Sequence, residues 1–386
     1  MAENIDVADK EARMAVGPAP SGPQARTRIT AITPAGAATV GGAALAALGL
    51  TWVLYERVLP FSGVLGFWLS WYVIFLLFYG LMAAMQWDRL EATSRVSAVA
   101  FGTAGALALA IVVAVVAYTL AKGWTAVTHL SFLTESMAKS GPLLPLSVGG
   151  CLGAMVGTLE QIGLATAFSV PLGVAAALFL AEVGGPLARP VRTIVEAMTA
   201  LPDLVAGLFI YVLFIISLGF FKSGLMAALA LSVTMMPIIC RASEVVIRLV
   251  PGTLREASYA LGGSQWRTVW SVILPTARSG LATATVLAMA RGIGETAAVL
   301  FTAGFTKTLN VNPLSGPQIN LPLFVWNYVH QEGDIPADFA RGFGGAFVLV
   351  VLVLGLFTVA RLIGGGTPGE LTRRQRRRLA AEAARA

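Results

Sequence analysis

The 386-residue chain is 56% hydrophobic and only 12% charged, and it carries a formal net charge of +7. With a mean hydropathy of +0.77 it lacks the polar surface that a soluble domain of this length needs, so it reads as an all-α polytopic membrane protein. Its apolar runs of about 20 residues suit helices and not the alternating strands of a membrane barrel, and its positive charge, gathered in loops and near the C-terminus, suits membrane orientation better than nucleic-acid binding.

Residues 1–33, with the segment GPAPSGPQ, read as a disordered tail, and no cleaved signal peptide is expected. Candidate spans follow at about 35–56, 62–86, 97–121, 157–182, 197–220, 224–243, 277–303 and 343–363. Each is long enough to cross roughly 30 Å of hydrocarbon at about 1.5 Å per residue. Most lysines and arginines fall on one side if the N-terminus is placed inside, among them Arg89, Arg95, Arg189, Arg192, Arg241, Arg248 and the run RRQRRR at 373–378. Arg57, Lys122, Lys139, Lys222, Lys307 and Arg341 are left outside. Eight spans with both termini cytoplasmic are therefore expected.

Two long outer segments, about 122–156 and 304–342, are rich in Pro, Gly and aromatic residues and are expected to fold over the outer face. Cys151 and Cys240 fall near opposite faces and should not pair. His129 and His330 are too few and too far apart in sequence for a metal site.

Between the sixth and seventh spans lies REASYALGGSQWRTVWSVILP, residues 255–275 with Arg255 first and Pro275 last. Pro251 suits a helix start, and Leu254, Ala257, Ser258 and Leu261 then recur at helical spacing, with Arg255 and Glu256 off that face. Gly262 and Gly263 stop this first helix, Ser264 caps a second one lined by Trp266, Val269, Trp270 and Ile273, and Pro275 marks the junction with the next span. From periodicity alone, an interfacial helix on lipid and a docking helix for a partner are equally good readings.

The seventh span carries ARGIGETA, with Arg291 13 residues, or about 20 Å, beyond Arg278 and Glu295 at i+4 on the same face. A charge inside a span costs about 2.5–3.5 kcal/mol on insertion scales, so the pair should face a polar path. Ala284, Ala288, Gly294 and Ala298 are expected to give a small surface for close helix approach. A fixed guanidinium in a low-dielectric passage suits a tetrahedral oxyanion, which it grips with two parallel hydrogen bonds. Glu295 can hold Arg291 between substrates or accept a hydrogen bond from a protonated oxyanion, which favours phosphate over sulfate.

Glu256, Ala257 and Ser258, then Gly262 after three residues, then Val272, Ile273, Leu274 and Pro275 after nine more, resemble the EAA loop of ABC-importer permeases. Ser258 and Val272 depart slightly from that pattern. The stretches LPDLVAGLFIYVL, ARGIGETAAVLFTAG and INLPLFVWNYV extend the likeness over about residues 100–365, to the A-type permease subunit of phosphate ABC importers, the PstA family. Sulfate permeases usually have an aromatic residue and glycine where this chain has Thr296 and Ala297. The resemblance implies a six-helix type I permease core over 97–365, preceded by two additional helices over 34–96 and followed by a basic cytoplasmic tail over 366–386, in the bacterial cell membrane. It implies Arg291, Glu295 and Thr296 as substrate-pathway residues. Arg255, Glu256, Ala257, Ser258, Leu261, Gly262, Leu274 and Pro275 become the ATPase-coupling segment, with Glu256 positioning the coupling helix. The implied partners are inorganic phosphate, a second C-type permease, a dimer of ATP-binding subunits that holds ATP and magnesium, and an extracytoplasmic phosphate-binding protein. No cofactor is expected in this chain.

The family usually reads Pro-Ser where this chain has Pro202 and Asp203. Asp203 is expected to cap the following helix, and as a negative charge near an anion path it is also a candidate modulator of transport. No GxxxxGK[ST] phosphate loop and no nucleophile–base arrangement occurs, so the chain is neither the ATPase nor a membrane enzyme. The alternatives are a permease for sulfate or another oxyanion, and a secondary ion-coupled anion transporter. The latter would show repeated broken helices in two halves, and no convincing internal repeat is visible.

Overall fold

The computed structural model describes residues 34–58, 63–141, 143–330 and 336–364. The expected tails at 1–33 and 366–386, with the 373–378 arginine run, lie outside the described residues. The chain divides into two compact units, Met1–Val112 and Val113–Ala386, with the boundary inside one long helix.

In the first unit, α1 (Pro34–Val53), lengthened by a wide turn over Leu54–Val58, packs against α2 (Val64–Gln86). Small residues on α1 let the large ones of α2 approach, so that Ala43 and Ala47 are buried with Phe75 and Tyr79. The Trp71 indole donates to the Ala44 carbonyl at 3.1 Å, and the Thr39 hydroxyl donates to Gln86 at 3.1 Å. The long helix α3 (Arg89–Val127) then carries the chain into the second unit.

The second unit continues with α4 (Leu130–Thr134), α5 (Leu152–Leu178, with a wide turn over Phe179–Val183), α6 (Ala188–Ala200) and α7 (Asp203–Ile210, continued over Tyr211–Ser217). Next come α8 (Gly224–Arg248), α9 (Gly252–Ala260), α10 (Gln265–Thr268), α11 (Leu274–Ile293), α12 (Ala297–Thr302), α13 (Leu321–Val329) and α14 (Pro336–Gly364). Its centre is a cluster from α5, α8, α11 and α12, including Ile162, Leu231, Met235, Ile239, Ala288, Ile293 and Val299. Gly173 and Gly292 permit the close approach: a Cβ on the first would lie 2.8 Å from Ile239, and on the second 2.8 Å from Met235.

Among the described residues seven helices are long and apolar enough to cross a membrane, or eight if one bent pair is counted as a span. Two expected spans are built differently. The run 197–220 is not one helix: α6 and Asp203–Ser217 meet at a 106° bend. Pro202 lacks an amide proton and pushes Leu201 into an extended conformation (ψ 131°), which ends α6. The run 277–303 also breaks. Its helix starts earlier, at Gln265, passes through Pro275 and stops at Ile293. Pro275 is therefore no junction. It sits in the first turn of α11, directly after the wide turn Val269–Ile273, where its missing amide is tolerated.

The outer segments are folded. Phe132 of α4 packs against Phe324 of α13, and Leu321, Leu323 and Tyr328 complete that cluster. The Gly149 amide donates to Glu135 at 3.0 Å and holds that carboxyl below its usual range. Arg341, expected as an outer-loop charge, is 1% exposed. It pairs with Asp338 at 3.1 Å and donates to the carbonyls of Gly141, Leu144, Pro145 and Val148, so it binds a loop to the start of α14. Cys151 and Cys240 are buried, free thiols.

Candidate functional site

The segment 251–275 forms two arms. Pro251 precedes the first turn of α9 rather than lying in it, and Gly262 adopts φ +78°, the left-handed geometry that ends such a helix. The Ser264 hydroxyl caps α10 by accepting the Arg267 amide at 3.3 Å. Ser258, placed by spacing on one face with Leu254, Ala257 and Leu261, turns to the second arm and shares a 2.7 Å hydrogen bond with Thr268. Leu254, Ala257, Leu261 and Pro275 are exposed and Leu274 is half-buried. Leu261 at 90% exposure forms an apolar tip, with Trp266 and Trp270 exposed on the second arm.

Arg255 and Glu256, both placed off the apolar face by periodicity, point in opposite senses. Arg255 is turned inward: Nη2 lies 2.8 Å and Nε 3.2 Å from Oε1 of Glu182, at the end of the α5 extension. The same guanidinium donates to the carbonyls of Val250 (2.6 Å) and Ile247 (2.9 Å) at the end of α8. Glu256 is exposed and has no hydrogen bond or ion pair among the described residues. Within the chain, then, it is Arg255 that ties α9 to the ends of α5 and α8, and Glu256 makes no such bond among the described residues. Sequence reasoning missed Glu182, although an acidic residue closing an apolar run was a usable signal.

Arg291 lies on the last turn of α11, and Glu295 does not follow it on the same helix. The helix closes through 3.2 Å bonds from the amides of Gly294 and Glu295 to the carbonyls of Arg291 and Gly292. Gly294 is exposed at this break and is not part of the close-packed surface, whereas Ala284, Ala288 and Ala298 are buried as expected. The small partner needed at Ala298 is Gly207 of α7, where a Cβ would meet the Ala298 Cα at 2.6 Å. Thr296 is half-buried at the start of α12 and makes no side-chain cap.

The carboxylate that holds Arg291 is that of Asp203, 88 residues away, at 2.6 Å. Asp203 does not cap its helix. It is the first residue of α7, after Pro202, and its side chain turns to the guanidinium, where the helix dipole also favours a negative charge. The Glu295 carboxyl lies beside that of Asp203. One arginine thus faces two carboxyls brought together from two helix breaks. Arg291 remains 53% exposed, so a side of the guanidinium is open to an incoming group.

The break is braced from behind. The Asn320 amide donates to the Glu295 carbonyl at 2.9 Å, while its oxygen caps α13 by accepting the Leu323 amide at 3.0 Å. The Leu321 amide donates to Thr158 of α5 at 2.8 Å. One turn further on, Gln161 donates to Gln318 at 3.2 Å, and Gln318 donates to Glu160. Glu160, Gln161, Gln318 and Asn320 escaped the sequence reading. Glu160 and Gln161 stood inside an apolar run and were open to detection, but the loop residues had no periodic signal.

The profile of the binding-protein-dependent transport system inner membrane component family matches residues 169–365. The chain is 37% identical over 264 residues to the Phosphate transport system permease protein PstA 1 of Mycobacterium tuberculosis, covering 68% of this chain and 86% of that protein. It is 33% identical over 286 residues to the Probable ABC transporter permease protein YqgI of Bacillus subtilis, covering 70% and 95%. It is 35% identical over 216 residues to the Phosphate transport system permease protein PstA of Haemophilus influenzae, covering 55% and 76%. Among solved structures, an inward-facing MetNI methionine ABC transporter chain aligns at TM-score 0.40 and 20% identity, covering 55% of this chain and 89% of that one.

Proposed function

Because the chain belongs to the binding-protein-dependent transport system inner membrane component family, and is a multi-pass protein of the cytoplasmic membrane, we propose that it is one permease subunit of an ATP-driven importer of inorganic phosphate. Residues 97–365 supply the permease core in this reading, and 34–96 are an addition to it. Both termini are cytoplasmic, which puts the 251–275 segment on the inner side. ATP is hydrolysed by separate subunits into which α9 docks, with Leu254, Ala257 and Leu261 as its contact face. A second permease completes the path, and a binding protein outside delivers the anion.

The observation that carries the reading is the guanidinium of Arg291. It stands about 20 Å along a membrane-length helix from Arg278 and is half exposed, with a single 2.6 Å carboxylate contact. Its planar fork suits two oxygens of a tetrahedral anion. The identity of that anion is supported by relatives named as phosphate permeases. Docking at α9 would tilt α11 and expose Arg291 to each side in turn. The test is uptake of phosphate and of sulfate by the reconstituted complex, wild type beside Arg291→Ala. Loss of phosphate uptake with the complex intact is expected, and wild-type uptake by the variant would remove Arg291 from the path.

A further inference from the structure

The contact between Arg291 and Asp203 has a chemical meaning beyond the assignment of a path. A carboxylate oxygen 2.6 Å from Nη2 of the guanidinium occupies one of the donors that a substrate oxyanion would use. The Glu295 carboxyl stands next to it. Other charges near α7 are engaged elsewhere or absent. The neighbouring α12 has no ionisable residue. The charges of α8 lie past Cys240, where Arg241 pairs with Glu196 and Arg248 with Glu244, itself paired with Arg192 of α6. Lys222 lies over the Tyr211 ring, beyond the far end of α7.

We propose that Asp203 is a specificity-determining residue that competes with the transported anion for Arg291, so that only an anion able to give a proton toward the two carboxyls displaces it well. The proposal rests on the phosphate-path reading of Arg291. A hydrogen phosphate species carries an O–H that can donate to the displaced Asp203 carboxylate while its other oxygens take the guanidinium. Sulfate has no proton at neutral pH and meets two carboxyls with nothing to offer them. Asp203 thereby lowers affinity for every anion and lowers it most for one that is fully ionised. An internal competitor reduces apparent affinity by the fraction of time the arginine is free. For a pair closed about nine-tenths of the time, its removal raises affinity about tenfold.

The test is equilibrium binding of inorganic phosphate to the purified permease–ATPase complex, with sulfate as competitor. Asp203→Asn is expected to bind phosphate about tenfold more tightly and to become open to sulfate competition, while Asp203→Glu keeps the wild-type discrimination. A role in folding alone would not change the ratio between the two anions. Should the asparagine variant fail to assemble, Asp203→Ser, which keeps a small polar group at the helix start, carries the same expectation. Unchanged phosphate affinity with sulfate still excluded, or no binding to wild type and variant alike, overturns the proposal. Arg291→Ala uptake in proteoliposomes is read beside it: normal uptake there refutes the phosphate path itself, whereas its loss with an unaltered Asp203→Asn refutes only the competition.

Discussion

Arg255→Gln should loosen the α9 arm without unfolding the membrane core. The guanidinium makes two bonds to Glu182 and two to carbonyls at the end of α8, and the pair is only 20% and 8% exposed. Breaking a fully buried pair by removing one partner costs about 3–5 kcal/mol, because the other charge is left stranded. The partial exposure of Arg255 lets water reach the site, so about 2–3 kcal/mol is a fair figure here. At a factor of ten per 1.4 kcal/mol, that corresponds to a rise of roughly 30- to 150-fold in the open population of the arm. Hydrogen exchange of the amides of α9 in the purified complex reads this directly, and protection should fall by that factor while α8 and α11 hold theirs. Glu182→Gln alone should cost less, since a neutral amide still accepts from Arg255, and the two changes together should cost less than their sum. Exchange altered less than threefold in Arg255→Gln would refute the claim that this residue positions the arm.

Substitutions at two further places test the outer half. Arg341→Met strands Asp338, 3% exposed in its side chain, and frees the carbonyls bound by the guanidinium, so a loss of about 3–5 kcal/mol is expected as a lower melting temperature in detergent. Adding Asp338→Asn to that variant should recover part of the loss. Gly157→Ala places a Cβ 2.1 Å from the Ile319 carbonyl oxygen and should destabilise by about 1–3 kcal/mol. Gly163→Ala on the same helix meets nothing within 4 Å and should be neutral or slightly stabilising in the same melt.

Hydropathy located the long helices because crossing a membrane is a one-dimensional requirement on composition. It ran through the break after Ile293 because the residues from Ala297 onward are as apolar as those before it, and a single Gly294 is weak punctuation. It also fused α6 with α7, although Pro202 was in view, since the apolar run continued across the bend. The two arms of 251–275 were legible from spacing, glycine and serine. What the residues beside them did was not: Arg255 and Glu256 look alike on a helical wheel, and only Glu182 on another helix separates their roles. Arg291 stood out because a charge in a span is expensive. Its real partner, Asp203, lies 88 residues earlier, a distance that no local pattern bridges. The burial of Arg341 was illegible for the same reason, since four carbonyls and an aspartate from separate segments make it tolerable.

The passage of the helix through Pro275 has a mechanical consequence. From Gln265 to Ile293 the chain is one 29-residue element, about 44 Å long at 1.5 Å per residue. It is a rod with the arms of 251–275 at one end and the arginine at the other. A rotation of about 5° around one end of such a rod carries the opposite end through about 4 Å, more than the 2.6 Å that now separates Arg291 from Asp203. Asp203 is borne on a different helix, and the Glu295 carbonyl is held to Asn320, so a swing of the rod would move Arg291 relative to both. A tilt of a few degrees would therefore be enough to open and close the arginine, and the lever needs no flexible joint at the proline.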